Sequence, residues 1–141
     1  MRQALEEGRR ALPGCLPNPP VGCVLVRGDR VIARGFTQPP YQNHAEAMAL
    51  SQIGGDGAGV CAYVTLEPCS FQGRTPSCAH ALVAAAVQRV VVGILDPDPR
   101  NNGAGVEVLM SAGVEVRVGV LAADVHRDLD PFLALSANLG P

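Results

Sequence analysis

The pattern of apolar and polar positions along the chain resolves into ten elements. Residues 2–12 read as a helix. VGCVLVRGDRVIARGF, residues 21–36, reads as two strands joined by a tight turn at Gly28-Asp29. Residues 44–53 read as an amphipathic helix with Ala45, Met48, Ala49 and Ile53 inward. CAYVTLE, residues 61–67, is a strand, and PSCAHALVAAA, residues 76–86, is a helix. Pro76 can start that helix because its first turn needs no N–H there. RVVVGIL, residues 89–95, is apolar on both faces, as a buried central strand should be. DPDPRNNG is a loop, and residues 104–112 form a helix with Gly113 as its C-cap. VEVRVGV, residues 114–120, alternates as a strand, and residues 122–135 form a last helix.

The order is therefore α-ββ-α-β-α-β-α-β-α. Later strands that alternate with helices imply right-handed crossovers, parallel pairing and helices on both sheet faces. The opening hairpin makes the sheet mixed. The predicted class is α/β: a three-layer α/β/α sandwich around a mixed, mostly parallel five-stranded sheet. Ligands in such sheets sit beyond the C-terminal strand ends, where loops lead into helices.

Composition narrows the partners. A chain of 141 residues suits one domain, and its 48% hydrophobic content fits a folded one. Aromatics are only 4%, so Val, Leu, Ala and Ile must build the core. The net charge of −2, with no Lys/Arg run, advertises no grip on a phosphate backbone. A small molecule is the expected partner, with no nucleic acid and no membrane. MRQALEEGRRALPG lacks an apolar signal core, and the longest apolar run, VVVGIL, is too short to span a bilayer. A cytoplasmic location is expected. Five cysteines (15, 23, 61, 69 and 78) in such a chain point to metal or buried thiols over disulfides.

Two segments at strand–helix junctions carry candidate chemistry. NHAEAMALSQ places His44 and Glu46 two residues apart where a helix begins. LEPCSFQGRTPSC holds Cys69 and Cys78, nine positions apart. Tetrahedral zinc accepts imidazole nitrogen and thiolate sulfur, and a catalytic zinc keeps three protein ligands and one position for water. His44, Cys69 and Cys78 supply such a set, with Glu46 positioned to move protons without ligating. Both cysteines sit near helix starts, where the dipole favours a thiolate. Each signal alone is weak: a Glu in a first turn is common for macrodipole reasons, and paired cysteines are often only buried. Their combination at these junctions favours the metal. Cys23 and Cys61 are expected to pack in strands, and Cys15 to lie in a loop and be exposed. His80 and His126, in helices without ligand partners, are expected at the surface or supporting the site from behind the ligands, not binding metal.

HxE followed by PC and a third Cys resembles the signature of the zinc-dependent cytidine deaminase-like superfamily. The long insert SFQGRTPS is similar to the deaminase half of the bifunctional riboflavin-biosynthesis deaminase–reductases. So are PNPPVGCVLV, HAEAMAL, YVTLEPCS, GRTPSCAHAL, RVVVGILDPDP and GAGVEVLMSAGVEV. The resemblance implies one Zn²⁺ on His44, Cys69 and Cys78, with Glu46 as the proton shuttle. It implies ammonia release from a diaminopyrimidinone ribosylamino phosphate. Asn18 matches a residue that contacts the pyrimidine ring, and Arg74 a basic position that could meet the phosphate. Relatives are commonly homodimers or homotetramers.

Four positions depart from that family. Thr37 and Phe71 stand where His is common, Asp98 replaces a neutral amide, and Ala104 replaces a basic residue. The substrate-reading shell therefore differs around an intact centre. Drift in a monofunctional relative with the same substrate explains this; so does a different aminated heterocycle in specialised metabolism. The chain stops after FLALSANLGP, so a single deaminase domain over residues 1–141 is expected, without a reductase domain and with a separate reductase as a possible pathway partner. A non-catalytic zinc-stabilised module would not need Glu46. A nucleic-acid-editing deaminase would need basic and stacking surfaces that the composition does not offer.

Overall fold

A computed structural model of the chain describes residues 1–71 and 77–138, with side chains as far as residue 133. All ten elements form in the predicted order. They are α1 (Arg2–Arg9), β1 (Gly22–Arg27), β2 (Arg30–Phe36), α2 (Ala45–Ser51), β3 (Val60–Leu66), α3 (Cys78–Ala84), β4 (Arg89–Ile94), α4 (Ala104–Ser111), β5 (Glu115–Val118) and α5 (Ala122–Asn138). α1 stops short of residue 12 and gives way to turns that run up to the prolines. α5 runs three residues past the expected end at residue 135.

The strands assemble in the order β2-β1-β3-β4-β5. β1 pairs antiparallel with both neighbours, while β3–β4 and β4–β5 are parallel. Four strands thus run one way and β1 alone runs against them. The sheet is mostly parallel by strand direction, although its ladders divide evenly. The tight hairpin dictates this: β2 must return beside β1, and the crossover through α2 then lays β3 on the other edge of β1. α2, α3 and α4 contact one another along one face, while α1 meets α5 on the other. This gives the three layers.

The core is aliphatic, as the scarcity of aromatics requires. Leu25, Val60, Val64, Leu82, Val90, Val92 and Leu109 are fully buried. Five of the six β4 residues are buried, which confirms it as a central strand. In α2, Ala45, Ala49 and Leu50 are buried and Met48 is half-buried; the helix ends at Ser51, short of residue 53, and Ile53 is half-buried in the turn that follows. Gly35 sets how closely α2 lies on β2, since a Cβ there would fall 2.1 Å from the Ala45 carbonyl oxygen. Cys23 is buried and Cys61 half-buried, in keeping with packing roles. Cys15 corrects the expectation of exposure: its relative exposure is 0%. Its N–H donates to the Ala11 carbonyl and its carbonyl accepts from Asn18, so the turn that holds it folds inward. Among the described residues no helix is long and apolar enough to cross a membrane.

Candidate active site

β2 and β3 run in the same direction, so the segments that follow them emerge at one end of the sheet. His44 is the extended N-cap residue of α2, and Glu46 lies in the first turn of that helix. Cys69 follows β3, and Cys78 is the first residue of α3. The candidate ligand atoms of His44, Cys69 and Cys78 all lie within 4.8 Å of one another. His44 Nδ1 is 3.2 Å from Cys78 Sγ and 3.9 Å from Cys69 Sγ. Tetrahedral zinc with bonds of about 2.3 Å to sulfur and 2.0–2.1 Å to nitrogen needs N–S separations of about 3.6 Å. The donor set therefore fits zinc in chemistry and in spacing, with Nδ1 as the ligating nitrogen.

Local hydrogen bonds hold this arrangement. The Cys78 N–H donates to Cys69 Sγ at 3.3 Å, and the Ala79 N–H donates to the Cys69 carbonyl. Both ends of the insert are thereby tied together. Ser77 caps α3, accepting from the His80 N–H at 3.1 Å. His80 is exposed, as is His126, which pairs with Asp130; neither joins the metal set.

The thiols divide their proton unequally. The hydrogen bond from Cys78 pulls the Cys69 thiol down to about 4. Cys78 is pushed well above the ordinary thiol value, first by that bond and then by burial. The expectation that both cysteines sit at helix starts holds for Cys78, the first residue of α3, and is corrected for Cys69, which lies in the irregular segment after β3. Metal binding must release the remaining proton. Cys69 also holds His44 protonated up to about 9. Burial lifts the Glu46 carboxyl from its ordinary value to about 7, against the pull of His44. A carboxyl poised there can both take and give a proton at neutral pH.

Beside these groups opens a cavity of about 530 Å³, within the usual range for small-molecule sites. Asn18, Thr37, Phe71 and Asp98 line it with His44, Glu46 and Cys69. Thr37 is nevertheless engaged with the backbone: its hydroxyl donates to the Pro19 carbonyl and accepts from the Val21 N–H, each at 3.0 Å. It therefore braces the turn that carries Asn18. Ala104 begins α4 and is not part of the lining. Arg74 lies outside the described residues.

Three lining residues escaped the sequence reading. Glu67 is buried, and its carboxylate accepts from the N–H groups of Asp96, Gly103 and Val106 at 2.9–3.0 Å. It thus ties the end of β3 to the start of α4. Asp96 accepts from Asn101 and from the Asp98 N–H within the same loop. Arg100 forks onto Asp98 and lies over the Phe71 ring. The only available signal was the acidic, proline-broken composition of DPDPRNNG beside a strand end.

Comparison with known proteins agrees with this geometry. Residues 1–94 match the model for the cytidine and deoxycytidylate deaminase zinc-binding region. The maize "Riboflavin biosynthesis protein PYRD, chloroplastic" is 48% identical over 85% of this chain and 31% of its own length. The "Diaminohydroxyphosphoribosylamino-pyrimidine deaminase" of Buchnera aphidicola is 38% identical over 79% of this chain and 76% of its own. The structure of Acinetobacter baumannii RibD, form 1, superposes with a TM-score of 0.89 at 47% identity, covering 96% of this chain and 38% of that one. The chain spans about a third of the length of the maize and cyanobacterial relatives, 31% and 33%. With the family region covering both the His44–Glu46 pair and the two cysteines, the chain belongs to the cytidine and deoxycytidylate deaminase family, whose cofactor is zinc.

Proposed function

We propose that the chain is a zinc-dependent hydrolytic deaminase of an aminopyrimidine, acting on the riboflavin-pathway diaminopyrimidinone that carries a ribosylamino phosphate. The observation that carries the reading is the buried Glu46 beside a three-ligand donor set, at the edge of a cavity sized for such a molecule. The relative from Buchnera, a diaminohydroxyphosphoribosylamino-pyrimidine deaminase by name, supports the substrate class.

His44, Cys69 and Cys78 would hold the metal. When bound, zinc acidifies water towards a pKa of about 7 and so supplies a nucleophile at neutral pH. Glu46 accepts the proton that this nucleophile gives up and returns protons to the ring nitrogen and the departing amine, the division of labour general to zinc deaminases. Glu46 is buried in the first turn of α2, two residues from His44, so one side chain is within reach of both transfers. Asn18, which lines the cavity on a turn braced by Thr37, would contact the ring. The balance is hydrolytic: water enters, an exocyclic C–N bond breaks, a ring carbonyl forms and ammonia leaves. A cytoplasmic homodimer or homotetramer, served by a separate reductase, completes the proposal.

Ammonia release across a panel of aminopyrimidines, pterins and nucleotides tests the reading. The phosphorylated diaminopyrimidinone should turn over with the highest kcat/KM. Preference for another heterocycle would overturn the substrate assignment, and no turnover of any aminated ring by zinc-loaded protein would overturn the enzyme.

A further inference from the structure

The cavity lining is rich in carboxylates: Glu46, Glu67, Asp96 and Asp98. A phosphorylated substrate needs a cation among them, and Arg100 is the one guanidinium or ammonium among the described lining residues. A helix N-terminus is the usual alternative for a phosphate. The start of α4 is already taken, because the Glu67 carboxylate accepts from Gly103 and Val106. Among the described residues, the cation available to an anion is at the rim, where Arg100 stands half-exposed.

Arg100 is also built to present a free edge. Its Nε donates to both Asp98 oxygens at 3.1 and 3.2 Å, and Nη2 donates to Oδ2 at 2.6 Å. This uses the side-on face of the guanidinium. Five N–H groups are available in the fork. Both on Nη1 and the second on Nη2 remain without a partner among the described residues. That edge has the spacing of a phosphate's paired oxygens. The guanidinium carbon sits 4.6 Å from the centroid of Phe71, so the aromatic face fixes the plane of the group while Asp98 fixes its rotation. Phe71 and Asp98, two of the positions that depart from the resembled family, therefore act with Arg100 as one unit.

We infer that Arg100, seated on Phe71 and oriented by Asp98, is the anion-reading group of this cavity and takes the phosphate of a sugar-phosphate substrate on its free edge. This rests on the functional reading above and names the residue that would discriminate phosphorylated from unphosphorylated rings. The Asp98–Arg100 pair is neutral as a whole. Selectivity thus comes from the geometry of the fork more than from net charge, and lysine can replace it only in part.

NMR titration of zinc-loaded protein with ribose 5-phosphate and with ribose tests the assignment without turnover. Wild type should bind the phosphate and discriminate against ribose. Arg100→Gln should weaken ribose 5-phosphate roughly tenfold to a hundredfold and leave ribose unchanged. Arg100→Lys should recover only part of the loss. Zinc content and Tm should stay at wild-type values, since Arg100 is at the surface. Equal affinity of Arg100→Gln and wild type for ribose 5-phosphate would overturn the inference. So would a loss confined to Arg74→Ala, or a wild type blind to the phosphate. Turnover separates the two claims. Arg100-dependent phosphate binding without ammonia release would sink the functional reading alone. Ammonia release from the phosphorylated ring with the same KM in Arg100→Gln would sink the anion site alone.

Discussion

Glu46 is 4% exposed and sits two residues from a metal ligand. A carboxylate buried beside thiols and an imidazole stands where it can handle protons. Glu46→Gln keeps the shape and removes the titratable proton. It should retain full zinc and a native Tm while kcat falls about a hundredfold to ten-thousandfold. Metal analysis beside steady-state kinetics checks this, and loss of zinc in the variant would make Glu46 structural instead. Cys78→Ala removes one of three ligands and should leave the purified protein without stoichiometric zinc; full occupancy would remove Cys78 from the set. These four residues were legible in the sequence because zinc chemistry restricts both the residue types and their junction positions. Arg100 and Glu67 were not legible. A guanidinium in a polar loop and a carboxylate at a strand end look alike whether solvated or engaged, and only the fold shows which N–H groups and rings they meet. Cys15 was misjudged for a related reason: irregular segments carry no period from which burial can be read.

At the scale of elements, the site depends on how α4 and its preceding loop grip the end of β3. Glu67→Gln keeps one acceptor oxygen but turns an amide towards a backbone N–H that the carboxylate satisfied. One or more of three buried N–H bonds is lost, which should cost about 1–3 kcal/mol in urea unfolding. The loop over residues 96–103 should exchange its amides faster. Gly105 meets the same junction from the helix side: a Cβ there would lie 1.9 Å from the Pro68 carbonyl oxygen. Gly105→Ala must push away the backbone that leads directly into Cys69. A stability loss of about 1–3 kcal/mol is expected, with zinc affinity weakened about tenfold or more. Chelator competition measures the second effect, and unchanged affinity would show that Cys69 is placed independently of α4. Element order and type were readable throughout, since each strand and helix keeps its own period. Boundaries were less readable: proline-rich turns and a helix continuing through Pro131 blur those of α1 and α5, and α3 begins at Cys78 behind the Ser77 N-cap in place of the expected start at Pro76, which lies outside the described residues.

For the molecule as a whole, the sheet and its helices bury their own aliphatic core, and the metal ligands sit at one end of it. Zinc should therefore be needed for activity and not for the fold. Chelation should abolish deamination, lower Tm and leave the far-UV circular dichroism intact; collapse of that spectrum would mean that the metal holds the fold together. The mixed sheet followed from the opening hairpin, but the direction of every ladder became evident only when β3 was seen on the far edge of β1. The most direct test of the whole account is mass spectrometry of the product formed by zinc-loaded protein from the phosphorylated diaminopyrimidinone in heavy-oxygen water. Hydrolytic deamination predicts that each ammonia released is matched by one solvent oxygen in the new ring carbonyl, and that Glu46→Gln forms almost none. An unchanged substrate, or a product without solvent oxygen, would contradict it.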